Sequence, residues 1–248
     1  GKTDEYAAWL RSELLKIPDK VASLCRSEGC DLLFLAGDLF DGAYSKESYQ
    51  AVYAALKEVG VPVFISPGNH DFCRADSPYI TEVWPENVHI FTHAAMESVT
   101  LQTLDCTVYG AGYEAMDCPA LLKGFHADGG ETWQIGVLHG EMEGSNTPYC
   151  PISREQLRNS NLQYLALGHI HKGGSLRTGN SLCAWPGCPM GRGYDEQGVK
   201  GAYIVTLEET AQCRFVSLDT PKFYDLEAHS RELPNLLPAV GNEDFYRI

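Results

Sequence analysis

Four short segments of the sequence place acidic, amide or imidazole side chains directly after an apolar run. The runs that end at Ala36, Ser66, Leu138 and Leu167 are followed by the segments GDLFD, PGNHD, HGE and GHIH. Each segment also contains a glycine, which lets the backbone turn sharply and approach a neighbouring loop closely. A single Asp, Asn or His in such a place is common in turns, but four segments of this kind in one chain favour a shared site.

The candidate ligands carry oxygen and imidazole nitrogen donors and no thiolate. They are Asp38, Asn69, His139, His169 and His171. This donor set suits manganese, iron or zinc in an open site, and it disfavours a closed structural zinc site. Because His169 and His171 are two residues apart, their side chains point to the same side of an extended chain, so each can serve a different metal.

The elements that must position these segments alternate between helix and strand in the first part of the chain. Apolar residues three and four apart between Leu10 and Leu24 predict a helix with a kink or a restart at Pro18. A second helix is predicted from its N-cap Ser45 to Val59, and Ser153 with Gln156 predicts a capping box for a third. Strands are predicted at residues 31–36, 61–65, 88–91, 99–104, 107–109, 133–138, 164–167, 181–185, 202–207 and 213–218.

This pattern predicts an α/β fold, an α+β sandwich in which two packed mixed β-sheets are flanked by helices. Open α/β sheets bind ligands at the carboxyl ends of their strands, so the four segments are expected to meet there. We expect residues 1–221 to form a catalytic domain. Residues 222–248 are expected to form a linker and the start of a truncated accessory, or capping, domain.

Composition sets limits on the class of protein. Of the 248 residues, 44% are hydrophobic and 21% are charged, as in soluble globular proteins. No apolar run reaches the roughly 18 to 20 residues that cross a bilayer, so no membrane association is expected. The nine cysteines are scattered without a C-x-x-C pair, which favours reduced thiols in the cytoplasm. The net charge of −14 argues against simple electrostatic capture of DNA, although it does not locate basic patches.

The segments GDLFD, PGNHD, HGE and GHIH resemble the signature blocks of the calcineurin-like metallophosphoesterases. Within that family, the stretch from Cys183 to Leu207 and the tail Leu218-Asp219-Thr220 are similar to bacterial DNA repair exonucleases of the SbcD and YhaO type. The resemblance implies a four-layer architecture and two divalent metal ions. We expect these ions to be Mn²⁺, with Fe or Zn as alternatives.

The resemblance also implies a role for each candidate ligand. Asp38 would bridge the two metals. Asn69, His139 and His169 would bind one metal, and His171 would bind the other.

Further residues are expected to act on the substrate. Hydroxide held between the metals would attack phosphorus in line, and His70 would stabilise the transition state or protonate the leaving oxygen. Asp41 and Asp71 would shape the site as partners of the ligands. The basic residues Arg177 and Arg192 are expected to border the mouth of the site and to bind substrate.

One family block is missing from this sequence. The family's first strand carries an Asp-x-His motif that supplies two more ligands to the second metal, and no such motif occurs near Gly1 or later. We expect the motif to lie in a strand outside this sequence. The alternative is a degenerate protein.

These features predict a metal-dependent phosphodiesterase that is a DNA repair exonuclease subunit. The expected partners are DNA and a coiled-coil SMC-like ATPase, and a homodimer remains open. One alternative is a small-molecule phosphodiesterase or nucleotide hydrolase on the same two-metal core, which the acidic charge favours. The other is a catalytically degenerate scaffold.

Overall fold

The computed structural model describes residues 4–42, 44–144, 146–227 and 243–247. Its helices are α1 Asp4–Ser27, α2 Lys46–Glu58, α3 Pro78–Thr81 and α4 Arg154–Asn159, with one 3-10 turn at Gln102–Leu104. Its strands are β1 Leu33–Leu35, β2 Val63–Ile65, β3 Val88–Ile90, β4 Glu97–Leu101, β5 Cys106–Gly110, β6 Trp133–His139, β7 Glu141–Met142, β8 Pro151–Ile152, β9 Tyr164–Gly168, β10 Lys172–Thr178, β11 Ser181–Gly187, β12 Gly201–Leu207, β13 Ala211–Ser217, β14 Phe223–Asp225 and β15 Phe245–Arg247.

Capping side chains fix where two of the helices begin. Ser45 accepts a hydrogen bond from Ser48 N–H and forms a capping box at the start of α2. Ser153 and Gln156 form the second capping box, at the start of α4. Both predicted starts are confirmed. Helix α1 continues through Pro18 without a break, so the predicted restart there does not occur.

The two main sheets of the described residues have three and six strands. The smaller sheet has the order β1-β2-β3, and all of its strands are parallel. The larger sheet has the order β10-β11-β9-β6-β5-β4, in which β5, β6, β9 and β11 are parallel and the two edge strands are antiparallel to their neighbours. Strands β12 and β13 form a separate antiparallel hairpin.

Three apolar cores lie between and around the layers and pack them together. A helix-side core joins α1 and α2 to the β1-β2-β3 sheet through residues such as Ala22, Leu56 and Ile65. A central core lies between the two sheets and includes Phe64, Val137 and Ala166. An outer core covers the far face of the six-stranded sheet, where Leu157 of α4 packs. The β12–β13 hairpin packs on the central core, so this core holds the two sheets and the hairpin together.

The predicted α/β class, with two packed sheets and flanking helices, is confirmed. One detail differs, because the smaller sheet is parallel rather than mixed over the described residues. In the 3-10 turn at 102–104 the chain leaves the strand that was predicted to run to residue 104. In the described ranges, no helix combines the length and the apolarity that a bilayer crossing requires.

The end of the chain bears on the predicted domain boundary. Strand β15 pairs in parallel with β14, and Phe245 packs on Tyr6 and Trp9 of α1. Residues 228–242 and 248 of the predicted linker and accessory segment lie outside the described residues. The boundary at 221/222 stays a prediction.

Candidate metal centre

The loops that follow β1, β2, β6 and β9 meet at the carboxyl ends of these strands. His139 and Gly168 are paired neighbours at the ends of β6 and β9. A Cβ atom on Gly168 would lie 1.8 Å from the carbonyl oxygen of Ala36, and one on Gly68 would lie 2.3 Å from Asp38 Oδ1. Glycine is therefore required where the loops touch, because any side chain would push them apart.

Four of the five predicted ligands converge at this junction. His139 Nε2 lies 3.0 Å from Asn69 Oδ1 and 3.3 Å from Asp38 Oδ2. His169 Nδ1 lies 3.3 Å from the same Asn69 oxygen. The structure thus gathers a carboxylate, an amide oxygen and two imidazoles that come from four separate loops.

The orientation of His139 tests whether these donors fit a cation. Its Nδ1 lies 2.8 Å from the carbonyl oxygen of Ala36, which can only accept, so Nδ1 carries the proton. In the neutral ring Nε2 is then an acceptor, and it faces the Asn69 and Asp38 oxygens. Three acceptor atoms that face one another fit a divalent cation, with Asp38, Asn69, His139 and His169 as the residues that would hold it.

Over the described residues, no group of three or more His, Cys, Asp or Glu side chains is arranged to hold an ion. The candidate donors include the amide oxygen of Asn69, and the directions of the lone pairs of His139, Asn69 and Asp38 fit a cation.

Burial and charge act on the same residues. Burial alone would raise the pKa of Asp38, but its hydrogen bond and ion pair with His139 hold that pKa below its ordinary value. Burial alone would lower the pKa of His139, but Asp38 raises it, so the protonated ring is favoured where no cation competes with the proton for Nε2. Burial and the nearby charge of His139 lower the pKa of His169, which favours the neutral ring that binds metals.

Two of the candidate ligands have a strained backbone. Asp38 has a φ of 54° and His169 a φ of 84°, in the left-handed region that favours glycine. Such a conformation costs about 1–2 kcal/mol per residue and often marks functional sites. The strain turns both side chains toward the junction of the loops.

Asp71 binds the first two loops together. Its buried carboxylate accepts hydrogen bonds from the backbone N–H groups of Asp38, Leu39, Phe40 and Gly68 at 2.7–3.2 Å, and from the Tyr79 hydroxyl at 2.5 Å. Burial raises the pKa of Asp71, and the hydrogen bonds from Tyr79 and the backbone oppose that rise. Asp71 therefore holds in place the loops after β1 and β2, which carry the candidate ligands Asp38 and Asn69, through hydrogen bonds from the backbone of these loops.

His70 and Asp41 lie at the open side of the junction. The His70 backbone N–H donates to Asp38 Oδ1 at 3.0 Å, so His70 is tied to the ligand loop. Its half-exposed ring places Nδ1 3.1 Å from Asp41 Oδ1. Because Nδ1 faces this carboxylate, Nε2 is the nitrogen that remains for a substrate.

His171 lies at the rim of the site. Its Nδ1 is 2.7 Å from Glu196 Oε1, and its ring is half exposed. Arg192 donates to Glu196 and, at 3.3 Å, to Asp41, which places it beside His70. The structure places Arg192 next to Asp41 and Glu196, and its role in binding substrate stays a prediction.

Arg177 lies elsewhere. It pairs with Leu182 at the turn end of β10 and β11, and its guanidinium donates to the carbonyl oxygen of Ala211. Leu182 in turn pairs with Tyr164, at the start of β9, whereas the candidate ligands lie beyond the end of β9. The six residues from His171 to Arg177 span about 20 Å of strand. The structure does not bring Arg177 to the candidate site.

Sequence reasoning missed two of the supporting residues. Tyr79 donates to Asp71 from α3, and Glu196 accepts from His171 out of the loop between β11 and β12. Glu196 falls in the exonuclease-like stretch, where only Arg192 was given a role. No local pattern marks either residue, since the partner of each lies 8 and 25 positions away.

Two cavities of about 300 and 280 Å³ lie away from this junction. One adjoins the turn at Gly179 to Ser181, and the other lies beside α4 near His126. Neither is lined by a candidate ligand.

Comparison with known proteins agrees with the geometry. The family described as calcineurin-like phosphoesterase matches residues 6–173. A Bacillus subtilis (strain 168) protein named uncharacterized metallophosphoesterase YhaO is 35% identical over 191 residues, which are 72% of this chain and 46% of that protein. The chain thus spans less than half the length of this relative.

A second relative has a named activity. The 3',5'-cyclic adenosine monophosphate phosphodiesterase CpdA of Haemophilus influenzae is 26% identical over 217 residues, which are 81% of this chain and 71% of that protein. Among solved structures, TT1561 of Thermus thermophilus matches with a TM-score of 0.46 and 18% identity, over 70% of this chain and 84% of that one. A Vps29 structure from Entamoeba histolytica matches with a TM-score of 0.38 and 15% identity, over 76% of this chain and 99% of that one.

Proposed function

The chain belongs to the calcineurin-like phosphoesterase family, and from that premise we propose that it is the catalytic part of a metal-dependent DNA exonuclease. Members of this family are phosphoesterase hydrolases that bind divalent metals. The observation that carries the metal-dependent reaction is the convergence of Asp38, Asn69, His139 and His169 from four loops. The choice of DNA rests on the exonuclease-like stretch of the sequence.

The donor set and its neighbours have separate tasks in this reaction. Divalent cations bound by the donor set would neutralise the phosphate oxygens and activate a water molecule. Asp38 directs Oδ2 toward His139 and Oδ1 toward the His70 backbone, so its two oxygens face two sides of the junction. In this proposal Asp38 would be the carboxylate shared by the two ions.

His70 handles the proton of the leaving group. Asp41 holds Nδ1 of the ring, so a protonated His70 donates from Nε2 to the oxygen that leaves phosphorus. Arg192, which is fastened to Asp41, supplies a positive charge beside that ring. The pair presents hydrogen-bond donors on the open side, where a phosphodiester would enter.

A small nucleotide is the second candidate substrate. The net charge of −14 disfavours a long polyanion, because affinity for DNA normally comes from Lys and Arg contacts with phosphate. The resemblance to a protein named as a cyclic AMP phosphodiesterase, at 26% identity, favours the same substrate class. A coiled-coil ATPase partner would supply the missing DNA affinity under the first proposal.

The deciding experiment assays the whole protein that contains this chain, with Mn²⁺, on three substrates. These are linear duplex DNA, single-stranded DNA and cyclic AMP, each with and without a coiled-coil SMC-like ATPase. The proposal predicts nucleotide release from DNA ends that increases with the ATPase and disappears in His70→Ala. Efficient cleavage of cyclic AMP with no degradation of DNA under any condition would replace the nuclease with the small-nucleotide enzyme.

A further inference from the structure

The loop between β11 and β12 places a buried carboxylate behind a predicted metal ligand. Glu196 is 7% exposed, although it lies in a loop. A buried carboxylate is unfavourable unless hydrogen bonds or positive charges compensate for its lost hydration. The partners of Glu196 therefore indicate why it is buried.

Each oxygen of Glu196 has a defined partner. Oε2 accepts the backbone N–H of Arg192 at 2.9 Å. Oε1 lies 2.7 Å from His171 Nδ1 and 3.4 Å from the Arg192 guanidinium. The side chain is thus fixed by its own loop at one oxygen and turned toward His171 at the other.

The backbone around His171 is held by the same part of the chain. The Cys188 N–H donates to the carbonyl oxygen of His171 at 3.3 Å. A Cβ atom on Gly187 would lie 2.4 Å from that oxygen, so β11 and the loop after it pack directly on the His171 backbone. Both the backbone and the ring of this histidine are consequently oriented from one side.

This contact decides which ring nitrogen is available. A carboxylate can only accept, so His171 must donate Nδ1–H to Glu196. In the neutral ring the lone pair then resides on Nε2. Histidine ligands commonly donate their other N–H to a carboxylate, which fixes the tautomer and raises the basicity of the metal-binding nitrogen.

We propose that Glu196 is a positioning residue that fixes His171 as the Nδ1–H tautomer and reserves Nε2 for a divalent cation. The proposal rests on the metal-dependent function proposed above, since His171 would have no ion to bind without it. Through Arg192 the same carboxylate is linked to Asp41 and hence to His70. Glu196 therefore contacts both His171, a candidate metal ligand, and Arg192, which leads through Asp41 to His70.

The test follows the ring nitrogens of the whole protein that contains this chain by ¹⁵N NMR, first without metal and then during titration with diamagnetic Zn²⁺. The wild-type protein is expected to show the Nδ1–H tautomer of His171 and a shift at Nε2 as zinc binds. Glu196→Ala is expected to lose the preference for this tautomer and to need about 10–100 times more zinc for half of the Nε2 shift. Glu209→Gln, in the exposed turn between β12 and β13, is the matched control and should behave as wild type.

The outcomes separate this proposal from the proposed function. An Nε2–H tautomer of His171 in the wild-type protein would overturn it without any variant, even if Glu196→Ala failed to fold. It is equally overturned if Glu196→Ala folds and keeps both the tautomer and the zinc midpoint of wild type. Failure of zinc to shift the ring nitrogens of His139 and His169 in the wild-type protein would instead defeat the metal-dependent function.

Discussion

Neighbouring groups decide which atom of each imidazole faces the candidate site. The Ala36 carbonyl holds Nδ1 of His139, Asp41 holds Nδ1 of His70, and Glu196 holds Nδ1 of His171. In all three rings Nδ1 is occupied and Nε2 is the nitrogen that remains, and in His139 it faces the Asn69 and Asp38 oxygens. The three residues have different expected roles, because His139 points at the oxygen donors and His70 lies at the open side.

Replacing His70 and His139 should separate chemistry from metal binding. His70→Ala is expected to lower phosphodiester turnover by about 10²–10⁴ with unchanged metal content, because only the proton donor is lost. His139→Ala is expected to lose bound Mn²⁺, because a ligand is lost. Turnover and elemental analysis in the whole protein measure both effects, with His126→Ala in a surface loop as the control. Loss of metal from a folded His70→Ala protein would make His70 a ligand instead.

Asp71 is expected to matter for stability rather than for chemistry. In Asp71→Asn an amide N–H₂ group would face backbone N–H groups that now donate to a carboxylate oxygen, which leaves buried donors unpaired. The free energy of unfolding should fall by roughly 2–4 kcal/mol. Urea denaturation measures this change, and Asp117→Asn on the surface is the control. Equal stability of the two variants would show that Asp71 does not hold the loops together.

At the scale of elements, close backbone approach brings the four loops to one point. Gly68→Ala would place its Cβ 2.3 Å from Asp38 Oδ1 and 2.8 Å from His139 Cε1, so both ligands must move. Mn²⁺ affinity, measured by calorimetry, is expected to fall at least about tenfold, as it does when the orientation of a ligand is lost. Gly130→Ala, whose Cβ meets nothing within 4 Å, should bind as wild type does. Unchanged affinity in folded Gly68→Ala would mean that the loop contact does not set the ligand geometry.

The edge of the smaller sheet bears on the missing Asp-x-His motif. Among the described strands, β1 pairs only with β2 and β12 only with β13, although β1 and the hairpin pack on the same central core. A chain extended at its amino end by a strand that carries Asp-x-His is expected to pair with β1 and to complete the second metal site. Its Mn²⁺-dependent hydrolysis of bis-p-nitrophenyl phosphate should exceed that of the present chain by orders of magnitude.

An extension with Ala-x-Ala in place of Asp-x-His is the control for the added strand. It should restore pairing with β1 without restoring activity. Brisk hydrolysis by the present chain alone would show that Asp38 and His171 suffice on that side and that the ligand assignment is wrong.

Capping residues and apolar spacing predicted the presence of helices and strands better than the residues at which they end. The caps at Ser45 and Ser153 are formed by residues within three positions, so the sequence displays them directly. The end of β4 at Leu101 depends on the 3-10 turn and on Asp105, whose φ is 49°, and apolar spacing does not report such a turn. The strand order β10-β11-β9-β6-β5-β4 depends on contacts between distant parts of the chain.

At the scale of the whole molecule, the sequence predicted those candidate residues that directly follow an apolar strand. Asp38, Asn69 and His139 each follow their own strand, and the parallel arrangement of those strands brings them together. Arg177 was expected at the site and Glu196 was given no role, because the positions of both depend on how β10, β11 and the following loop fold back. A charge in the sequence does not show which end of a strand it will occupy.

The net charge of −14 is a property of the whole molecule. Arg192 lies beside His70, while other basic residues such as Arg154, Arg214 and Arg247 form ion pairs with Glu143, Glu28 and Asp225. Exposed pairs of this kind contribute little to stability. They do reduce the positive charge that is open to a polyanion, which is why an ATPase partner is part of the nuclease proposal.

The most direct test of the metal centre is an anomalous difference map, recorded at the manganese edge from crystals grown with Mn²⁺. We expect a peak about 2–2.6 Å from donor atoms of Asp38, Asn69, His139 and His169. The contradicting result is a map at millimolar Mn²⁺ with no peak among these side chains, whether Mn²⁺ is bound elsewhere or not at all. That result would exclude a metal centre at this junction.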